Sequence, residues 1–308
     1  MKRNERKIKS FQLIIGSILG IVLLATGLIF AALQTNGLSI VKGLEAAKIL
    51  KLTSPTQQAI HPTIYVTSSN GAVSQPEGMI EKLAPLTVSA QAKPSLQISV
   101  DIAHNNKISV KGKITADNLY PMIAFGTVKG TIQGEKYAKA LKVAVRYLTA
   151  HYKVSAINFM GFSSGGTGVM AYLEDYGKET QLPKVDKVAM LDPEFNTKKP
   201  LAPKQNLGML LLDGPLPQMQ TPMYHELSKM TNLDPKVQFV LMESEYKASH
   251  QTDGVLPYAD AFSLYHLLLK HGNPTVIHLY PSSTSHNGLL LINTNAVNFI
   301  NTYFYSKN

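Results

Sequence analysis

The chain of 308 residues carries 30 Lys and Arg against 20 Asp and Glu, a formal charge of +10, and contains neither Cys nor Trp. Without thiols it forms no disulfide framework, zinc–thiolate site, iron–sulfur cluster or cysteine nucleophile, so any covalent catalysis falls to oxygen or nitrogen. A hydrophobic fraction of 44% over this length supports a buried core and excludes a wholly disordered chain.

The charge is unevenly placed. Lys2, Arg3, Arg6, Lys7 and Lys9 face only Glu5 within residues 1–10, so +4 of the total of +10 precedes an uncharged apolar run and +6 is left for the remainder. That remainder has no long basic block and no interleaving of basic and aromatic residues, so nucleic acid is not an expected partner. Leu13 to Leu33 contains 21 residues and no charge. At about 1.5 Å per residue the run would extend roughly 31 Å, the thickness of a bilayer core. It exceeds the roughly 7 to 15 residues of a signal-peptide apolar region, and Ala31, Ala32 and Leu33 make a poor cleavage site, which favours an uncleaved transmembrane anchor over residues 11–33. The positive-inside rule then keeps the basic head, residues 1–10, in the cytoplasm and sends everything after Gln34 outside.

Residues 34–60 read as a juxtamembrane connector, with a short helical pattern around Leu44, Ala47, Ile49 and Leu52 before Pro55. From His61 the pattern turns to strands alternating with helices, the signature of a mostly parallel sheet covered on both faces, and residues 61–308 are expected to form one α/β domain. Strands are expected at Thr63 to Thr67, Leu96 to Ile102, Lys107 to Ile114, Met122 to Gly126, Ala156 to Met160, Lys187 to Leu191, Gln238 to Met242 and Thr275 to Leu279. Asn105-Asn106 suggests a hairpin between the second and third. Helices are expected at Glu77 to Leu83, Glu135 to His151, Gly166 to Tyr176, Tyr258 to His271 and Thr294 to Tyr303. In the second helix Ala138, Leu141, Val145 and Leu148 fall on one apolar stripe. Residues 196–236, rich in Pro, Leu and Met, resist assignment to the sheet and read as a cap-like insertion, or else as a long surface loop with two short helices.

The strongest chemical signal is AINFMGFSSGG, residues 156–166. It reads as a buried strand, a Gly-x-Ser-x-Gly turn and a helix rich in small residues, the context that a nucleophile elbow requires. Gly161 and Gly165 flank Ser163 because a Cβ at either would collide with neighbouring chain. The helix start directs N–H groups and the positive dipole end at developing negative charge, and Ser164 is expected to donate an N–H rather than act as a second nucleophile. A serine needs a His base and an orienting carboxylate, in the chain order Ser, Asp/Glu, His. Asp253, in TDGVLP, and His286, in STSHNG, follow successive strands and fit that order. Asp192, directly after the preceding strand, is the competing acid. His250 is a candidate pocket residue, and His61, His266, His271 and His278 read as structural. No His/Asp/Glu spacing resembles a metal site, and no cofactor is expected.

With these residues the chain resembles the alpha/beta-hydrolase superfamily and, more narrowly, the uncharacterised cell-surface hydrolases of Gram-positive bacteria, which are lipase- and esterase-like. The resemblance runs from His61 to the C-terminus. It is carried by HPTIYV at 61–66, YKVSAINFMGFSSGG at 152–166, DPEFN at 192–196, TDGVLP at 252–257 and SHNGL at 285–289. It implies an alpha/beta-hydrolase fold, Ser163 as nucleophile, Asp253 as acid, His286 as base, and an ester or lipid-ester substrate, with amide, thioester and acyl-transfer chemistry sharing the same parts. Two positions depart from the pattern. Thr67, Ser68, Ser69, Asn70 and Gly71 stand where such hydrolases have a His-Gly oxyanion loop, and Phe162 stands where a His is usual. Ser68 or Ser69 is therefore expected to line the oxyanion hole beside Ser164. The altered loop also motivates a rival reading, a catalytically silent hydrolase fold used as a surface binding module.

Overall fold

The computed structural model describes residues 58–83, 93–196, 217, 220–246, 251–281, 285–286 and 288–306. The anchor expected at 11–33, the head at 1–10 and the connector up to residue 57 lie outside the described residues. Among those described, no helix is long and apolar enough to cross a membrane. Most of the insertion read at 196–236 also lies outside them.

Eight strands form one sheet: β1 (Thr63–Val66), β2 (Leu96–Asp101), β3 (Lys107–Gly112), β4 (Met122–Thr127), β5 (Ile157–Phe162), β6 (Val185–Leu191), β7 (Gln238–Ser244) and β8 (Thr275–Tyr280). No strand end differs from its sequence expectation by more than two residues. The order is β3-β2-β4-β1-β5-β6-β7-β8, and every pairing is parallel except that of β2 with β3. That pair is the hairpin expected at Asn105 and Asn106. Both asparagines adopt positive φ, at 53° and 55°, a conformation that Asn tolerates better than other side chains except Gly. The burial patterns follow the order. The central strands β1, β4 and β5 are buried at every residue, β2 alternates, and the edge strand β3 is largely exposed and carries Lys107 and Lys111. Charged side chains on an edge discourage pairing with another chain.

Helices cover both faces. On one lie α2 (Gly134–His151), α3 (Ser164–Tyr176), α4 (Pro222–Leu227), α5 (Tyr258–Ala261) and α6 (Tyr265–His271); on the other lie α1 (Ser74–Leu83), α7 (Leu289–Ile292) and α8 (Thr294–Tyr305). Alternate strand residues serve the two layers: Ile64, Phe159, Met190 and Leu241 face α2 and α3, while Tyr65, Met160, Leu191 and Met242 face α1 and α8. The α2 stripe of Ala138, Leu141, Val145 and Leu148 is fully buried, and truncating such a leucine to alanine costs about 2–5 kcal/mol.

One helix expectation fails in its middle. Tyr258 to His271 is interrupted at 262–264, where the Ser263 carbonyl accepts from the Tyr224 hydroxyl of α4 at 3.0 Å. The chain there turns through Ser263 N–H to Asp260 O and Tyr265 N–H to Phe262 O instead of continuing as one helix. The described end of the 196–236 insertion supplies α4 and the buried Leu227, Met230 and Leu233, which join the α2–α3 core layer. The Thr221 side chain caps α4 by accepting from Tyr224 N–H, and Pro222 follows it.

Candidate active site

Parallel strands deliver their following loops to one edge of the sheet. Thr67 follows β1, Ser163 follows β5, Asp192 follows β6, and the loops after β7 and β8 carry Asp253 and His286. Residues distant in sequence meet above the C-terminal ends of these strands.

Ser163 occupies the turn between β5 and α3 with φ 51° and ψ −127°, a strained conformation for a residue with a Cβ. The turn is held by Ser163 N–H to Leu191 O at 3.0 Å and by Gly166 N–H to Ser163 O at 2.8 Å. Its glycines are sterically required. A Cβ on Gly161 would lie 2.7 Å from Gly166 Cα, and one on Gly165 would lie 2.5 Å from Thr67 O and 2.8 Å from Val66 O. Since those oxygens are backbone, Gly165→Ala is expected to push the start of α3 away from the loop after β1. It should destabilise the fold by about 1–3 kcal/mol. Thermal melting checks this, and an unchanged melting temperature would rule it out.

His286 Nε2 lies 3.0 Å from Ser163 Oγ, and His286 Nδ1 is in hydrogen-bond contact with Asp253 Oδ2. An ionised carboxylate only accepts, so Nδ1 carries the proton and Nε2 is left to accept from the serine hydroxyl. Asp253 is fully buried, and its other oxygen accepts from Val255 N–H at 2.7 Å and Leu256 N–H at 2.6 Å. The His286 N–H in turn donates to Asp253 O at 3.0 Å, tying the two loops together. Burial by itself lowers the His286 pKa. The hydrogen bond and charge of Asp253, joined by the charges of Asp192 and Glu194, outweigh it and hold the imidazole above its ordinary value. The ring also packs on Phe162, centroids 5.0 Å apart, so Phe162 forms a wall beside the imidazole.

The loop after β1 is fixed by groups that sequence alone did not point to. Thr67 Oγ1 donates among Ala72 O, Gln75 Oε1 and Asn70 Oδ1, and Ser68 N–H donates to Gln75 Oε1 at 3.0 Å. From α2 the buried Tyr137 hydroxyl lies 2.6 Å from Ser68 O and 2.9 Å from Thr67 O. Of the two serines expected at the oxyanion hole, Ser68 therefore has its N–H engaged, whereas Ser69 N–H has no acceptor among the described residues. Ser164 is buried, its Oγ donates to Glu194 Oε2 at 2.7 Å, and its N–H likewise has no acceptor there.

Asp192 lies beside the trio without being in the Ser163–His286–Asp253 line. It is fully buried, has φ 43°, and accepts from Ser244 N–H at 2.9 Å and Ser244 Oγ at 3.2 Å. Burial first, then the Asp253 charge, push its pKa up to about 8, against the Ser244 hydrogen bonds and His286. Asp192, Asp253 and His286 also form, among the described residues, a set of donors close enough for one cation. Since His286 is engaged on both ring nitrogens by Asp253 and Ser163, no nitrogen is spare for a metal. His250 lies outside the described residues.

An eight-stranded, mostly parallel sheet with a serine elbow after its central strand defines an alpha/beta hydrolase. The chain belongs to the family described as Alpha/beta hydrolase of unknown function (DUF915), which matches residues 51–307. Two solved structures share the fold. The lin2722 product of Listeria innocua superposes with a TM-score of 0.68 at 20% identity, over 82% of this chain and 96% of that one. A protein of Lactobacillus plantarum WCFS1, named a candidate cell surface hydrolase, gives 0.61 at 18% identity, over 82% and 94%. No curated protein is significantly similar to this chain.

Proposed function

We propose that this protein is a serine hydrolase of carboxylic esters, held at the outer face of a membrane by residues 11–33. The observation that carries the chemistry is the continuous contact from Ser163 Oγ through His286 to the buried Asp253. In this reading His286 Nε2 takes the hydroxyl proton as Ser163 Oγ bonds to the ester carbonyl carbon. The carbonyl electron pair moves onto its oxygen, which accepts from Ser164 N–H and Ser69 N–H. His286 then returns the proton to the departing alcohol, leaving an acyl-serine that water, deprotonated by the same imidazole, hydrolyses. Asp253 holds the tautomer and faces the imidazolium. The anchor rests on the length of the uncharged run and the basic head before it. An outer location also agrees with the name carried by the Lactobacillus plantarum protein.

The rival, a silent binding module, draws on one observation: Ser68 N–H is given to Gln75. A fluorophosphonate probe separates the two. It is expected to modify the folded full-length chain in detergent at Ser163, identified by peptide mass. A membrane-impermeant form of the probe should reach the same serine on intact expressing cells. Folded protein that stays unlabelled would leave the binding-module reading standing, and labelling only after lysis would reverse the topology.

A further inference from the structure

Asp192 is the residue that the reaction above does not use. One of its carboxylate oxygens, one of Asp253 and a ring nitrogen of His286 all lie within 4.8 Å of one another. The groups facing it are Asp253 and His286 from the loops after β7 and β8, Ser244 from the end of β7, and at longer range Glu243 of β7; Glu194, from its own loop, faces His286. Among the described residues no lysine or arginine forms an ion pair with any of these carboxylates. His286 is therefore the one cation that can form among them, and during turnover it forms as Ser163 gives up its proton.

Asp192 is also held for this position. Its backbone stays at φ 43°, unfavourable for a residue with a Cβ, while its N–H donates to Met242 O at 2.8 Å and its carboxylate is fixed by both donors of Ser244. A buried carboxylate near a like charge is costly: at rest Asp192 keeps its proton up to about pH 8, and a charged His286 draws it back toward the ionised form. Resting on the triad reading, we propose that Asp192 is a second carboxylate for His286. It is a positioning residue that stabilises the imidazolium alongside Asp253 and sustains the reaction when Asp253 is lost. It takes no proton from the substrate; the serine proton stays on Nε2 until the leaving alcohol receives it.

The test uses full-length protein, kcat/KM for a short-chain p-nitrophenyl ester across pH, and circular dichroism with thermal melting to verify folding. Asp253→Asn is expected to lose only about 10- to 10²-fold, where loss of the orienting aspartate from a serine triad otherwise costs about 10⁴-fold. Asp192→Asn should move the acid limb of the profile to lower pH, because the carboxylate charge that forms together with the imidazolium and favours it has gone. The double variant should fall at least a further 10²-fold below Asp253→Asn, a larger drop than Asp192→Asn causes in the wild-type background. Ser244→Ala, which removes one donor from Asp192 and leaves the carboxylate itself, should shift the limb the same way by less. A folded Asp253→Asn protein as inactive as Ser163→Ala, or an acid limb unmoved in both Asp192→Asn and Ser244→Ala, overturns the assignment. Wild-type protein that reacts with the fluorophosphonate separates that failure from failure of the triad reading, under which the wild type itself would be inert and this inference would fall with it.

Discussion

Glutamine in place of His286 is expected to cut kcat/KM for a p-nitrophenyl ester by about 10⁴ to 10⁶, to the level of Ser163→Ala. The two side chains act as one unit, so the double variant should be no worse than either alone. The reason lies in the geometry. Ser163 Oγ has an imidazole nitrogen at 3.0 Å, and in the proposed reaction the hydroxyl is a poor nucleophile until that nitrogen takes its proton. Glutamine fills similar volume against Phe162 but cannot carry the proton, so folding should survive while turnover does not. The wild-type pH profile supplies a second readout. His286 must be neutral to accept the proton, and its pKa lies above the ordinary 6.5, raised by Asp253, Asp192 and Glu194 against burial. Activity should therefore fall as pH drops through a limb centred above 6.5. A His286→Gln protein retaining more than a tenth of wild-type turnover, or a limb below 6.5, would remove His286 from the base role.

What was legible in the sequence divides along physical lines. The strands could be read because central parallel strands are buried on both faces and appear as short apolar runs between turns, as in TIYV at 63–66 and INFMGF at 157–162. The elbow could be read because a steric requirement writes itself as glycines at fixed offsets, here Gly161 and Gly165 around Ser163. Asp253 and His286 could be picked out because chain order along a parallel sheet puts successive loops at one edge. The supporting contacts had no such signature. Gln75 accepting from Ser68 N–H, Tyr137 reaching back 69 residues to the Ser68 carbonyl, and Ser244 fixing Asp192 are single side chains meeting across the fold, with no periodicity to announce them. The break at 262–264 was hidden for the same reason: Tyr258 to His271 looks helical throughout, and only the arrival of Tyr224 at the Ser263 carbonyl shows why it is not.

Stability should fall as pH rises from about 5 to 8, and Glu243→Gln should remove a large part of that slope. Glu243 sits on β7 fully buried, with neither carboxylate oxygen hydrogen-bonded among the described residues. Burial first, then the charges of Asp192, Asp253 and Asp260, hold its pKa well above the ordinary 4.5. Asp192 is pushed up to about 8 and Asp260 up to about 7, each chiefly by burial. For all three the folded chain keeps a proton that the unfolded chain has released between its ordinary pKa and the folded one. Folding thus loses about 1.4 kcal/mol per pH unit per group across that window, and nothing below it. The raised pKa of His286 acts in the same direction, since its contribution is complete below 6.5 and lost as pH passes the folded value. Glutamine keeps the shape of the protonated acid and carries no such linkage. The variant should therefore match wild type near pH 4 and exceed it by about 2 kcal/mol or more at pH 7, several degrees in melting temperature. Wild-type protein more stable at pH 8 than at pH 5, or a Glu243→Gln protein with an unchanged slope, would show that Glu243 is ionised and partnered. A core selected for stability alone would not keep a carboxylic acid that has no hydrogen-bond partner among the described residues within reach of the charges of Asp192 and Asp253. The stability gained by Glu243→Gln measures the cost of burying that acid near Asp192, Asp253 and Asp260.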